Sequence, residues 1–232
     1  MKTIGLLGGM SWESSIEYYR IINQEVKARL GGMHSAQCLM YSVDFSAIEK
    51  LQHAGEWDAL TQAMIDAVRR LEKGGADILV ICTNTMHRMA DEIQAVTRIP
   101  LLHIADATAA AIKALGLHTI GLLGTRFTME GDFYRGKLEK DHGLKVLIPN
   151  NEGREIVHHI IYDELVQGII REDSRKAYLG VIAELKSRGA EGVILGCTEI
   201  PLLVKQADVS IPIFDTTTIH AKAAVEWALS DT

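Results

Sequence analysis

An internal repeat constrains the fold of this chain more than any other feature of its sequence. The segment TIGLLGGMSWESSIEYYR, which begins at Thr3, resembles TIGLLGTRFTMEGDFYR, which begins at Thr119. GADILVICTNT, from Gly75, matches GAEGVILGCTE, from Gly189, and IPLLHIADAT and IPIFDTTTIH form a third pair. The alternative explanation is the general likeness of parallel βα units to one another. Three matches in the same order favour a duplication, so we expect two halves that fold alike.

Short apolar runs alternate with amphipathic helical patterns along the whole chain, as in TIGLLG followed by SSIEYYRIINQEVKARL. Strands that are apolar on both faces and alternate with helices are typical of parallel sheets covered on both sides. We therefore predict an α/β fold of two similar lobes, each a parallel sheet flanked by helices, with the active site in the cleft between them. The first lobe is predicted over residues 1–103, joined by a C-terminal helix over 213–232, and the second over 104–212. Ligands of such sheets bind beyond the carboxyl ends of the strands.

The composition of the 232 residues excludes several classes of partner. A formal net charge of −6 provides no basic surface for nucleic acid. No apolar stretch approaches the roughly 20 residues that a membrane helix needs, so no membrane partner is expected. Three widely spaced cysteines do not form a disulfide framework and suit a reducing cytoplasm, where we expect the protein to be located.

The segment ILVICTNTMH, residues 78–87, contains two candidate reactive side chains next to each other. Aligning Gly75 with Gly189 places Thr83, not Cys82, opposite Cys197. Successive side chains of a strand point to opposite faces, so Cys82 and Thr83 cannot share one. We interpret Cys82 as a core residue, like the cysteine of AQCLMYSV, and Thr83 as the residue that faces the chemistry.

The motifs GLLGGMS, TNTMH and GCTEIPLL, spread over the full length of the chain, resemble those of the aspartate/glutamate racemase superfamily. Its members racemise amino acids without pyridoxal phosphate. Two residues, usually cysteines, stand on opposite faces of the substrate α-carbon, one from Cys-Asn-Thr and one from Gly-Cys-Thr-Glu. In this chain Thr83 replaces the first of them, as in broad-specificity enterobacterial members, and Cys197 is the second.

The resemblance implies a set of site residues, with no cofactor and no metal. Thr83 and Cys197 are the expected catalytic residues. The expected substrate-binding residues are Met10, Gln52, Thr83, Asn84, Thr85, Thr125, Thr128, Cys197 and Thr198. Alternative roles are core packing for Met10, a solvated helix position for Gln52, and helix capping for Thr125 and Thr128. The expected partner is a small amino-acid substrate, and the family also implies a homodimer.

Racemisation removes the α-proton from one face and returns a proton to the other, which two acid/base groups can do without moving the substrate. A thiol suits this task when a helix N-terminus lowers its pKa. We therefore expect Cys197 to be the thiolate, and Thr83 to donate or relay a proton, through water or through His87. Backbone N–H groups with Asn84, Thr85 and Thr198 would hold the substrate carboxylate.

The residues that bind the side-chain carboxylate of aspartate in the family are absent from the matching positions. Aspartate-specific relatives have an Asp-Arg motif after the second strand and a lysine in a helix that follows Ile-Tyr. This chain has Asp44-Phe45 at the first place and Val166 at the second. We therefore predict broad or non-aspartate specificity, since arginine binds a carboxylate most strongly and neither position has one. A strict aspartate or glutamate racemase is the alternative, with Arg126 and Lys50 as substitutes.

Other functions remain open at this stage. Hydantoin racemases, maleate isomerases and arylmalonate decarboxylases of the same superfamily use similar clefts. From another class, the chain could be a non-catalytic amino-acid-binding protein that lost its activity when threonine replaced the first cysteine, at Thr83. Nucleotide, four-ligand metal and serine-hydrolase signatures are not present in the sequence.

Overall fold

The computed structural model describes residues 1–230, which fall into two compact units. The first unit contains residues 1–103 and 220–230, and the second contains residues 104–219. The helices, in chain order, are α1 Trp12–Leu30, α2 Phe45–Ala54, α3 Trp57–Lys73, α4 Ala90–Gln94, α5 Ile104–Ala114, α6 Arg126–Glu130, α7 Asp132–Lys140, α8 Asn151–Asp163, α9 Glu172–Ser187, α10 Ile200–Leu203 and α11 Thr216–Leu229.

The sheet of the first unit is parallel and has the order β2-β1-β3. Its strands are β1 Ile4–Gly8, β2 Cys38–Ser42 and β3 Ile78–Ile81. Every residue of β1 and β3 is buried, whereas β2 is partly exposed. The continuous apolar runs of β1 and β3 follow from this burial, because helices cover both faces of the sheet.

The sheet of the second unit is also parallel and has the order β5-β4-β6-β7. Its strands are β4 Thr119–Gly124, β5 Lys145–Leu147, β6 Gly192–Gly196 and β7 Ile213–Asp215. The predicted fold class, α/β with two parallel sheets flanked by helices, is confirmed.

Matching hydrogen bonds in the two units show that the repeat is structural. In the first unit the backbone N–H of Asp77 donates to the carbonyl of Thr3 at 2.8 Å, and Thr3 N–H donates to the Asp77 carboxylate at 2.6 Å. In the second unit Glu191 and Thr119 exchange the same two bonds at 2.9 and 2.7 Å. Each unit therefore uses an acidic residue before its buried strand to fasten the start of the first strand.

The third repeat pair also occupies equivalent positions. Leu79 N–H donates to the carbonyl of Pro100, and Val193 N–H donates to the carbonyl of Pro212, both at 2.9 Å. In the second unit this segment continues as β7, whereas in the first it makes a single parallel bridge between Leu79 and Leu101.

The C-terminal helix differs from the prediction in its bounds. A helix was expected over residues 213–232, but Ile213–Asp215 pairs with β6 as a strand and α11 spans Thr216–Leu229. The strand forms because Ile213 and Phe214 add apolar side chains beside a buried neighbour. Residues 231 and 232 lie outside the described residues.

Alternate residues of β1 and β3 point to opposite faces of the first sheet, and each face has its own apolar cluster. Leu7, Leu79 and Ile81 pack with the apolar side chains of α3, such as Leu60 and Met64. Residues on the other face, among them Leu6 and Cys82, pack with Tyr18 of α1 and with Val225 of α11. Cys82 therefore belongs to a hydrophobic layer, as the strand alternation predicts.

The helical segment after the TNT turn is broken. Met86, Met89, Ile93 and Val96 recur in the sequence at a helical period, but Thr85–Met89 is a 3-10 helix followed by the short α4. Met89, at the junction, has φ −108° and ψ 24°, outside the α-helical region. Val96 consequently lies beyond the helix and is 40% exposed.

Within residues 1–230, no helix combines the length and apolar character needed to cross a bilayer.

Candidate active site

The first candidate turn follows β3 and exposes one residue among buried neighbours. Cys82 N–H donates to the carbonyl of Leu7 at 2.9 Å, which extends the ladder beyond β3. Cys82 is fully buried, Thr83 is partly exposed, and Asn84 and Thr85 are buried again. Burial is the main cause that raises the pKa of the Cys82 thiol. Thr83 is therefore the most exposed residue of this turn.

The second candidate turn follows β6 and has the same pattern. Gly196 is buried at the strand end, Cys197 is partly exposed, and Thr198 and Glu199 are buried. Each turn thus presents a single partly exposed side chain at the carboxyl end of a buried parallel strand.

Sheet register shows independently that Thr83 and Cys197 are equivalent. Leu7 pairs with Ile81 in the first sheet, and Leu123 pairs with Leu195 in the second. Leu7 and Leu123 occupy the same position in the two copies of TIGLLG, so their partners Ile81 and Leu195 are equivalent. The residues two places after these partners are therefore equivalent as well. That residue is Thr83 in the first unit and Cys197 in the second.

No side chain fits the position that is equivalent to Cys82. A Cβ atom on Gly196 would lie 2.8 Å from the carbonyl oxygen of Leu123, and one on Gly124 would lie 2.9 Å from the carbonyl oxygen of Gly196. β4 and β6 therefore approach each other too closely at this point for anything but glycine.

Cys197 is a neutral hydrogen-bond donor in this structure. Its Sγ donates to Oε2 of Glu199 at 2.9 Å, and the hydroxyl of Thr198 donates to the same oxygen at 2.9 Å. Partial burial raises the pKa of Cys197 well above its ordinary value, and the Glu199 charge and hydrogen bond raise it further. Backbone N–H groups of Glu199 and Thr198 act in the opposite direction.

Burial and the Glu199 carboxylate thus both oppose the thiolate expected at Cys197, which stays a prediction. The prediction relied on a helix dipole, but α10 spans only Ile200–Leu203 and is too short to supply a sizeable one. Burial and the nearby carboxylate both oppose ionisation of the Cys197 thiol. Together they outweigh the two backbone N–H donors, which favour it.

His87 holds the backbone of the first turn. Its Nδ1 lies 2.8 Å from the carbonyl oxygen of Thr83, and a carbonyl only accepts, so Nδ1 carries the proton. The ring is buried and lies 4.6 Å from the ring of His103 and 5.7 Å from that of His220.

His220 is a fixed neutral imidazole behind His87. Its Nε2 donates to the carbonyl of Leu102 at 2.8 Å, so its Nδ1 accepts from the hydroxyl of Tyr18 at 2.9 Å. Burial lowers the pKa of His220 to about 3, and the nearby charge of His87 lowers it as well.

Two expected substrate-binding residues of the first unit are both buried. Met10 is 5% exposed and packs in the cluster that contains Leu7 and Ile48. Gln52 of α2 is 3% exposed, so it is not the solvated helix residue that the alternative required. Their roles in binding stay predictions.

The threonines of the second unit have identifiable local roles. Thr125 caps α6, since its hydroxyl accepts from the backbone N–H of Thr128 at 3.3 Å. The two hydroxyls lie 3.3 Å apart and both residues are buried. Helix capping, the alternative considered from sequence, is therefore present, and a further contact with substrate stays a prediction.

The aspartate-reading positions contain no cation. Asp44 accepts from Ser46 N–H at 3.1 Å and caps α2. Val166 packs against the apolar core of the second unit. Of the two substitutes, Arg126 forms an ion pair with Glu155, and Lys50 is exposed.

Sequence reasoning did not single out Glu199, His103 or His220. Glu199 was visible as the last residue of the GCTE motif, two places after the candidate thiol, but its orientation toward sulfur depends on the turn. The histidines come from distant segments, and nothing in their local sequence predicts that their rings meet. Within residues 1–230, no cluster of three or more potential metal ligands is present.

Comparisons with known proteins agree with this architecture. The model of the family "Asp/Glu/Hydantoin racemase" matches residues 7–224. The chain is 26% identical to the broad specificity amino-acid racemase RacX of Bacillus subtilis (strain 168), over 98% of both chains.

Two crystal structures superpose closely on the chain. One is a proposed Asp/Glu racemase from Yersinia pestis, with 56% identity, a TM-score of 0.93 and coverage of 99% of this chain and 100% of that one. The other is an aspartate racemase homologue from Pyrococcus horikoshii OT3, with 36% identity, a TM-score of 0.84 and coverage of 98% and 99%. The predicted family and enzyme class are confirmed: the chain belongs to the Asp/Glu/hydantoin racemase family.

Proposed function

We propose that the chain racemises amino acids without a cofactor, through two acid/base groups on opposite faces of the substrate α-carbon. Cys197 serves one face and Thr83 the other. The observation that carries this proposal is their equivalence: each is the one partly exposed residue of a buried turn, two places after the strand residue that pairs with TIGLLG. A duplicated fold supplies two such turns, as a reaction with two faces requires.

The two groups differ in chemistry. Cys197 is a thiol hydrogen-bonded to a carboxylate, whereas the hydroxyl of Thr83 is essentially never ionised at neutral pH. Cys197, once it has given up its own proton, takes the α-proton of one enantiomer, and Thr83 passes a proton to the opposite face. This asymmetry makes the two directions differ in kcat and KM, while the equilibrium between enantiomers stays unchanged.

The substrate carboxylate is held by polar groups of the two turns. Asn84, Thr85 and Thr198 are all buried directly after the candidate catalytic residues. Hydrogen bonds to that carboxylate also stabilise the negative charge that develops when the α-proton leaves.

We further propose a broad or non-aspartate substrate range. Asp44 caps α2, Val166 lies in an apolar cluster, and Arg126 is paired with Glu155, so none supplies a free bidentate reader for a second carboxylate. The full-length likeness to a racemase described as having broad specificity supports the same range.

Incubation of the purified protein with single enantiomers in D2O tests this function. Over a panel of amino acids, the account predicts loss of optical purity and entry of deuterium at the α-carbon for several polar or aliphatic side chains. Activity confined to aspartate or glutamate would support the strict-racemase alternative. Neither exchange nor loss of optical purity with any amino acid would contradict catalysis and favour a binding protein.

A further inference from the structure

A buried threonine in the first turn of α11 has a hydroxyl that no other residue pairs. Thr217 is 3% exposed, and its Oγ1 has no hydrogen-bond partner among residues 1–230. Such a hydroxyl lowers the stability of the folded protein, because it has lost its hydrogen bonds to water. A buried polar group of this kind in a native protein calls for an explanation, and pairing with a ligand is one.

The neighbouring side chains of the same turn are hydrogen-bonded. The hydroxyl of Thr216 donates to the carbonyl of Leu195 at 2.9 Å, and that of Thr218 donates to Oδ2 of Asp215 at 2.6 Å. The backbone N–H of Thr217 donates to Oδ1 of Asp215 at 3.0 Å, so this carboxylate caps the helix. The turn is therefore held by hydrogen bonds that do not involve the Thr217 hydroxyl.

The equivalent position of the first repeat shows that the fold does not need a hydroxyl here. Aligning IPLLHIADAT with IPIFDTTTIH matches Ala105 with Thr217. The helices α5 and α11 begin at the equivalent residues Ile104 and Thr216. Ala105 is fully buried, and its methyl group is sufficient at this position. The second copy instead has an oxygen atom that is costly to bury.

Thr217 lies at the same edge of the second sheet as the candidate thiol. β6 and β7 are parallel neighbours, in which Leu195 pairs with Asp215. Cys197 and Thr217 each follow that pair by two residues and belong to the same unit. The hydrogen bond from Thr216 to the Leu195 carbonyl holds the start of α11 against the end of β6. Ligands of parallel α/β sheets bind at this carboxyl edge.

The charges at this edge favour a cationic group of the ligand. Asp215 stands two residues before Thr217, and Glu199 stands two residues after Cys197, so two carboxylates flank the position. An amino acid has one cationic group that is common to all side chains, the α-ammonium. A threonine oxygen can accept a hydrogen bond from it.

We propose that the hydroxyl oxygen of Thr217 accepts a hydrogen bond from the α-ammonium group of the substrate, an inference that rests on the proposed function. The ammonium takes no part in the proton transfer, so the contact is made in the ground state and in the transition state alike. It therefore acts on KM more than on kcat. Because every amino acid has this group, the effect is the same for all side chains.

The variant Thr217→Val tests this inference, because valine has nearly the shape of threonine and lacks the hydroxyl. Without substrate, its melting temperature should rise or stay the same, since an unpaired buried hydroxyl has been removed. KM should rise about 10- to 100-fold, the value of a hydrogen bond to a charged group, with kcat changed by less than about threefold. Thr217→Ser restores the oxygen and should recover most of the affinity.

Thr97→Val is the matched control. Thr97 is 8% exposed, and within the described part of the chain its Oγ1 also has no partner. It precedes Pro100, whose carbonyl accepts from Leu79 near the start of β3, so it lies toward the amino end of that strand. Its replacement should change the melting temperature in the same direction, with KM and kcat at wild-type values.

The substrate side chain distinguishes the ammonium contact from other contacts. KM is compared for one apolar and one polar amino acid that the wild type racemises. Increases of equal size in Thr217→Val support the inference, whereas an increase confined to the polar substrate overturns it. An unchanged KM, or a lower melting temperature without substrate, also overturns it. A wild-type protein that racemises no amino acid contradicts the proposed function itself, and the inference falls with it.

Discussion

His87 fastens the first candidate turn by donating from Nδ1 to the carbonyl oxygen of Thr83 over 2.8 Å. His87→Phe keeps an aromatic ring in this buried position but removes the donor. We expect the free energy of unfolding to fall by about 1 kcal/mol, the net value of a buried hydrogen bond. We also expect kcat to fall more than KM changes, because Thr83 would no longer be held for proton transfer.

Urea unfolding and steady-state kinetics measure these two effects. The matched control is His159→Phe, since the His159 side chain is 66% exposed on α8. A His87→Phe protein with unchanged stability and kcat would show that this hydrogen bond does not support the turn.

Cys82 and Cys197 should respond oppositely to replacement by alanine. Cys82→Ala removes a fully buried side chain and should cost about 1 kcal/mol of stability with kcat/KM retained. Cys197→Ala should abolish racemisation with a smaller loss of stability, because its side chain is partly exposed. Loss of activity in a folded Cys82→Ala protein would contradict the register that places Thr83 opposite Cys197.

Replacing Gly196 and Gly180 by alanine should change the stability in opposite directions, because the space around the two residues differs. Gly196→Ala places a Cβ 2.8 Å from the carbonyl of Leu123 and should destabilise the protein by about 1–3 kcal/mol. Gly180→Ala, in the interior of α9 with open space around its Cβ, should stabilise by about 0.5–1 kcal/mol. Thermal unfolding of both variants checks the signs, and a stabilising Gly196→Ala would contradict the packing of β4 against β6.

His220 makes stability depend on pH. Its pKa is about 3 in the folded protein, below the ordinary value of 6.5, so the unfolded chain binds a proton first as pH falls. Its contribution is therefore intact above pH 6.5 and is lost progressively between pH 6.5 and about 3. Within this window the free energy of unfolding falls by about 1.4 kcal/mol per pH unit from this group.

Urea midpoints at several pH values measure this slope. His220→Gln should show a slope that is smaller by one proton, whereas His159→Gln, at an exposed position, should keep the wild-type slope. Equal slopes in wild type and His220→Gln would contradict a neutral, buried imidazole at His220.

The repeat made most of the fold predictable. Strand positions, the parallel sheets and the equivalence of Thr83 with Cys197 follow from local patterns that recur in order. The break between the 3-10 helix and α4 was not visible, since the apolar period continues through it at Met86, Met89 and Ile93. β7 was absorbed into the predicted C-terminal helix because it is only three residues long.

The protonation of the site was beyond sequence reasoning. Whether Cys197 is a thiol or a thiolate depends on burial and on where the Glu199 carboxylate points, and both are tertiary properties. The same holds for His220, whose tautomer is fixed by Leu102 and Tyr18 from two other segments. The predictions of a homodimer and of a cytoplasmic location stay predictions.

The most direct test of the two-face account is α-hydrogen exchange by Thr83→Ala in D2O, measured separately with each pure enantiomer of an amino acid that the wild type racemises. With Cys197 intact and Thr83 removed, the account predicts deuterium entry into one enantiomer only, with retained configuration and no racemisation. The wild type should exchange both enantiomers. Equal exchange of both by Thr83→Ala, or continued racemisation, would show that Thr83 does not serve the second face.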